Sequence, residues 1–153
     1  MSTSTVIVVA VIVFFDILIF AGLSFLAGKS RANRPGDVGN GRIGEGTGKP
    51  NYVSSVDRDP ARAVEPFVFS GDPESAWKAA VDAVGALDRT EIVVNTGTYL
   101  HAEVSSSFFK FVDDLELQIN PEEKVIHVRS ASRIGRSDMG VNRTRVEGLR
   151  HSF

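Results

Sequence analysis

The chain has 153 residues, a formal charge of -2 from 17 basic and 19 acidic side chains, three histidines and no cysteine. That length leaves room for one small domain with one modest core once an apolar N-terminal run is set aside. The charge balance offers no basic excess to hold nucleic acid phosphates, and the lack of cysteine removes disulfides, thiolate metal sites and cysteine nucleophiles.

Residues 6–27 read VIVVAVIVFFDILIFAGLSFLA, with Asp16 their one charge. As a helix rising about 1.5 Å per residue, the run measures roughly 33 Å, enough to cross a hydrocarbon core. The preceding MSTST lacks the Lys or Arg of a signal-peptide n-region, and the run exceeds the usual apolar stretch of about 7–15 residues. Residues 1–28 are therefore read as a retained single-pass transmembrane anchor. Lys29, Arg31 and Arg34 follow directly, and the positive-inside rule then puts the rest of the chain in the cytoplasm. Asp16 lies near mid-span, where a carboxylate is costly unless paired or neutralised. It marks either a contact with a membrane-protein partner or an acid protonated in lipid.

Residues 29–50 are rich in glycine and almost free of apolar side chains, the composition of a flexible linker. Gly39, Gly41 and Gly44 satisfy G-x-G-x-x-G, but that pattern holds a pyrophosphate only between a strand and a helix, which this segment does not supply. Gly48-Lys49 fails as a phosphate loop, because Pro50 replaces the metal-binding hydroxyl and no glycine stands at the required earlier position.

Residues 51–153 predict an α+β domain: an antiparallel sheet of about four or five strands, one packed helix and a C-terminal helix. Asp72-Pro73, followed by Ala76, Trp77, Ala80, Val81, Val84 and Leu87, reads as a capped amphipathic helix. Strands are expected over 64–69, 91–94, 98–104, 108–119 and 124–133. Turn positions suggest registers that set Val94 against Leu100, Ile92 against Ala102, Leu117 against Ile126, Leu115 against Val128, Val104 against Phe109 and Ala102 against Phe111. The opposite face then pairs Glu103 with Lys110, Tyr99 with Asp114, Asp114 with Arg129 and Glu116 with His127. That pattern fits a solvated, salt-bridged outer face, whose cross-strand pairs contribute about 0.2–1 kcal/mol each. His101, Glu103, Glu116 and His127 offer nitrogen and oxygen donors, but their spacing matches no compact metal signature, so no metal is expected. Asp113 falls on the inward face and requires a partner, from Ser130 or the C-terminal arginines. Asp113, Asp114, Glu116, His127 and Arg129 are thus the expected structural ion-pair residues.

After the last strand, Val146 and Leu149 are the apolar contacts of a short helix that Asp138 or Asn142 can cap. Arg133, Arg136, Ser137, Asn142 and Arg143 form a candidate small-anion site near the helix start, or else close the domain onto its own acids.

Three stretches carry a family resemblance: Pro50-Asn51-Tyr52-Val53-Ser54-Ser55, Phe109-Lys110-Phe111-Val112-Asp113-Asp114-Leu115-Glu116, and residues 128–133 continuing through Gly140-Val141-Asn142-Arg143 and Arg145-Val146-Glu147. In order and spacing they resemble the domain of unknown function 1499, over residues 50–153. The resemblance implies a small domain behind a membrane segment or lipoprotein signal, with no agreed activity and no catalytic residues to carry over. Relatives often have Cys where this chain has Tyr52, and many have a lipobox cysteine where it reads Leu26-Ala27-Gly28-Lys29, so neither thiol is present here. Exported relatives make the periplasmic or lumenal side the alternative to the cytoplasm.

No nucleophile-and-base pair, metal signature or valid phosphate loop emerges, and no cofactor is expected. The chain reads as a membrane-anchored, non-enzymatic interaction module, an accessory subunit of a membrane protein complex with a membrane-protein partner through the spanning helix. The alternative is a small-anion or phosphoester-binding domain, a hydrolase in its catalytic form, that uses the C-terminal arginine-rich loop.

Overall fold

A computed structural model describes residues 2–44 and 46–152. Helix α1 runs from Thr3 to Ala32, beyond residue 28 where the anchor is expected to end. The later elements are β1 (Tyr52–Ser54), β2 (Phe67–Val68), α2 (Pro73–Gly85), β3 (Thr90–Asn95), β4 (Tyr99–Ser105), β5 (Val112–Asn120), β6 (Val125–Ser132) and α3 (Val141–His151). The strands form one antiparallel sheet in the order β1-β6-β5-β4-β3, with short β2 also paired to β6. The α+β class expected from the sequence is the class of the fold.

Helix α2 starts where its sequence directs. Asp72 Oδ2 accepts from the Ser75 amide at 2.8 Å, and Pro73 occupies the first turn, where its missing N–H leaves nothing unpaired. Its Trp77, Ala80 and Val84 cover the apolar sheet face together with Val146 and Leu149 of α3. Leu100, Ala102, Leu115, Leu117, Ile126 and Val128 supply the sheet's side of this core. The α3 cap differs in detail: Gly140, at φ 80°, is the N-cap and has no side chain, while Asp138 accepts from the amides of Gly140 at 3.2 Å and Asn142 at 2.9 Å.

Several proposed registers are corrected, always with a local cause. The β3–β4 turn tightens to Gly97-Thr98, closed by the Thr96 amide donating to the Tyr99 carbonyl at 2.9 Å, and a bulge between Ile92 and Val94 absorbs the extra residue. Ile92 does face Ala102, but Val94 faces His101 rather than Leu100. Between β5 and β6 the Asn120 side chain accepts from the amides of Glu122 and Glu123, and Lys124 takes a left-handed φ of 53°. Leu117 therefore meets Val128, and Leu115 meets Ser130, two positions from the expected partners. Residues 108–111 lie outside β5, so Ala102 meets Leu115 and Val104 meets Asp113. The β4–β5 and β5–β6 shifts are even-numbered, so each side chain there keeps the face that alternation assigned it.

The second sheet face is where expectation and structure part. It carries Tyr99, His101, Glu103, Asp114, Glu116 and Arg129, and it is buried rather than solvated: Glu116 and His101 are 0% exposed, Asp114 and Arg129 1%. Residues 33–44 and 46–50, part of the 29–50 segment read from composition as a flexible linker, lie along this face without regular secondary structure. Some of their glycines permit close approach: a Cβ on Gly46 would collide with the Tyr52 hydroxyl, and one on Gly44 would come within 3.3 Å of Glu116 Oε2.

Leu117, 1% exposed between the two helices and the sheet, measures the core directly. Leu117→Ala should lower stability by about 2–5 kcal/mol, seen as an earlier denaturant midpoint for the full chain in detergent micelles.

Candidate functional site

The buried polar face divides into two carboxylate-centred groups. In the first, Asp114 on β5 receives His101 Nε2 from β4 at 2.8 Å. Arg133, just past β6, donates its Nε to Asp114 Oδ2 at 3.0 Å and its Nη2 to Asp114 Oδ1 at 2.7 Å, a two-pronged pair that a guanidinium makes and an ammonium does not. The same Nη2 reaches Glu103 Oε1 at 2.7 Å, and Arg34 also pairs with Glu103. Arg133 Nη1 turns toward the end of α1, donating to the carbonyls of Ser30 at 3.5 Å and Arg31 at 3.3 Å. These are carbonyls that a helix end leaves unpaired, so the guanidinium acts as a C-terminal cap.

In the second group, Glu116 accepts from Arg129 Nη1 at 2.6 Å and from the Tyr99 hydroxyl at 2.6 Å. Residues 39–44 complete it from above: the Gly44 amide donates to Glu116 at 3.3 Å, the Gly39 amide to the Tyr99 oxygen at 2.9 Å and the Ile43 amide to Gln118 Oε1 at 3.2 Å. The guanidiniums of Arg129 and Arg62 lie over the Tyr52 ring at 5.9 and 5.4 Å from its centroid.

Burial alone would raise the Asp114 carboxyl, but the hydrogen bonds from His101 and Arg133 outweigh it and hold the group below the usual carboxylate range. For Glu103, too, the desolvation that favours protonation is overcome, by Arg133 and Arg34. Burial, and then the hydrogen bond to Glu116, keep the Tyr99 phenol protonated far above its ordinary value.

Most of the remaining candidate residues are held by protein partners of their own. Asp113 pairs with Arg145 Nη2 at 2.7 Å on the helix side of the sheet. Arg145 also donates to Ser130 Oγ and Asn142 Oδ1, and Asn142 Nδ2 reaches the Asn51 carbonyl at 3.1 Å, so Asn142 ties α3 to the chain entering β1. Arg143 donates to the carbonyls of Ala61 and Ala63. Ser137 Oγ accepts from the Met139 amide, and Arg136 is exposed without an ion pair or hydrogen bond among the described residues. Of the five residues of the candidate anion site, Arg133 and Arg143 are engaged by protein oxygens and Asn142 is built into the α3 network. His127 contacts Ser55 Oγ at 3.2 Å, a pairing missed in the sequence because some seventy residues separate the two. The Ser55 oxygen also accepts from the Val128 amide, and the nearest acid, Glu123, stands 4.0 Å from His127, beyond the reach of a triad's third member. Donor atoms of His101, Glu103 and Asp114 lie within 4.8 Å of one another, as in a metal site, but the Arg133 guanidinium sits between both carboxylates where a cation would stand.

A family model described as a protein of unknown function, DUF1499, matches residues 42–153. The chain belongs to this family. No curated protein and no solved structure matches it. The DUF1499 match contains both carboxylate groups, together with Ile43 and Gly44 that cover the second. Helix α1, Arg34 and Gly39 lie before its first residue, so the contacts through which α1 closes the first group are made by the chain outside the matched domain. The position of Arg133 was legible as a cation among acids; its bond to the end of α1 was not, because no sequence pattern joins a helix end to a strand a hundred residues later.

Asp114→Ala leaves Arg133 buried without its main partner, and should lower stability by about 3–5 kcal/mol. The acid limb tests the same contact. Both carboxyls have folded pKa values below their unfolded ones near 4, so their contribution is complete above that pH and is lost as pH falls through the folded values. Acid unfolding followed by fluorescence of Trp77 should therefore be shallower in Asp114→Ala than in the parent chain.

Proposed function

We propose that this DUF1499 protein is a membrane-anchored, non-catalytic interaction module, an accessory subunit that presents its domain to a membrane protein complex at the bilayer surface. The observation that carries the reading is the surface of α1. An 18-residue window of this helix has a mean hydropathy of 3.0, and none of it is buried within the protein. Phe14, Phe15, Ile17 and Ile19 are each more than half exposed, and at 100° per residue these positions point to different sides of the helix. A helix apolar on all sides and not buried by its own domain has lipid or another membrane helix as its natural surroundings.

Two further features support the non-catalytic part. The buried carboxylates and guanidiniums of the sheet's polar face are ion-paired with one another, and the Ser55–His127 contact lacks an acid within hydrogen-bonding reach. Asp16 is a charge in the middle of the apolar helix with no ion pair among the described residues, the arrangement in which a partner helix supplies the missing group. Lys29, Arg31 and Arg34 at the helix end favour the cytoplasmic side for the domain.

Affinity purification of the full chain from native membranes in mild detergent, with particle mass read by light scattering, tests the reading. Wild-type protein should run as a discrete assembly larger than one chain, and Asp16→Leu should reduce its recovery several-fold. Recovery of both proteins as bare monomers overturns the proposal.

A further inference from the structure

The β4–β5 connection, residues 106–111, reads Ser-Ser-Phe-Phe-Lys-Phe, and instead of folding over the core it reaches along α1. The Phe109 ring lies 5.6 Å from that of Phe20 and the Phe108 ring 6.3 Å from it, centroid to centroid, with Phe108 and Phe109 in an edge-on pair at 4.8 Å. Phe111 extends the cluster, 6.1 Å from Phe109. Phe108 nevertheless remains 75% exposed. The loop is pinned there by polar contacts at its base: Ser30 Oγ accepts from the Val112 amide at 2.9 Å and donates to the Val112 carbonyl, and Arg31 Nη1 donates to the carbonyls of Phe109 and Lys110 at 3.3 Å.

Phe20 precedes Lys29 by nine positions, about 13 Å along a helix rising 1.5 Å per residue. Where Lys29 and Arg31 stand at the lipid headgroups, the neighbours of Phe20 stand among the acyl chains. Interfacial apolar groups commonly enter to about 5–10 Å, the depth at which this loop would lie on an upright or moderately tilted helix. Lys110, at the loop's return, has its carbonyl bound by Arg31 at 3.3 Å and so lies at the level of that residue, a sorting of aromatic and basic residues that suits a bilayer with anionic lipid.

We infer that the Phe108–Phe109 loop is a second membrane contact, inserted into the same leaflet as the C-terminal half of α1, so that the domain sits on the bilayer with the β4–β5 end of its sheet facing lipid. The occupant of the exposed Phe108 face is acyl chain, continuous with the lipid around α1. This inference rests on α1 spanning the membrane, and its test separates the two.

The chain has no cysteine, so single cysteines can be placed and labelled with an environment-sensitive fluorophore without background. The positions are Phe108→Cys in the loop, Val68→Cys on β2, itself 75% exposed, and Val13→Cys within the apolar run. Each full-length variant is reconstituted into phosphatidylcholine–phosphatidylglycerol vesicles containing lipids nitroxide-labelled at shallow or deep acyl carbons. The expected result is quenching at position 108 several-fold greater than at 68, strongest with the shallow label, and quenching at 13 strongest with the deep label. Equal, weak quenching at 108 and 68 with normal quenching at 13 overturns the loop insertion and leaves the anchor standing. Absence of quenching at 13 overturns the anchor, and the insertion with it. A blue-shifted probe at 108 that neither lipid label quenches puts another copy of the chain on that face, which also overturns the inference.

Discussion

The structure depends on one constraint: the carboxylates of Asp114 and Glu116 and the guanidiniums of Arg129 and Arg133, buried on one sheet face, are tolerated there only as ion pairs. Arg133 meets that constraint for the first group by reaching Asp114 and Glu103 on the sheet and the last carbonyls of α1 beyond it. Residues 39–44 meet it for the second, by aiming backbone amides at Tyr99, Glu116 and Gln118. A charged sheet face open to water would need neither. Once it is covered, removing any single partner strands a charge in a dry environment, which is why such pairs fix geometry more surely than they add stability.

Much of the fold was legible because the strand period is two. Alternation assigned Leu100, Ala102, Leu115, Leu117, Ile126 and Val128 to the core face, and the even-numbered register corrections around β5 left those assignments intact. The Asp72-Pro73 start of α2 was legible for the same kind of local reason. What was not legible is long-range. The same acids and bases read equally well as a wet face or a buried one, since the difference lies in whether a distant segment covers them. Glycine content in residues 36–48 was read as freedom of the backbone, whereas at Gly44 and Gly46 the missing Cβ gives room for Glu116, Arg129 and Tyr52. The protein partners of the candidate anion-site arginines were not legible either: Arg133 is held by Asp114 and Arg143 by the Ala61 and Ala63 carbonyls, groups distant in sequence.

These features change the kind of object proposed for the membrane. A domain on a free tether samples a wide volume and meets partners by search, with a local concentration set by linker length. In this DUF1499 chain Ser30, Arg31 and Arg34 are bound to the sheet within one turn of the helix end and just beyond it. Where α1 spans the bilayer as proposed, these contacts hold the domain in one orientation over the leaflet and offer its exposed surface at a fixed height and angle. For an accessory subunit that geometry is useful, since it lowers the orientational cost of each encounter.

Through Ser30, Arg31 and Arg133, α1 and the domain are joined as one body. The most direct measurement is the distance distribution between nitroxides at Leu18→Cys and Val68→Cys in the full chain, reconstituted in lipid nanodiscs and read by pulsed electron spin resonance. A single narrow distribution, broadened when Arg133→Ala is added, is the predicted result. A distribution spread over roughly 20 Å or more in the unaltered background, as a flexible chain of this length would give, would contradict the account.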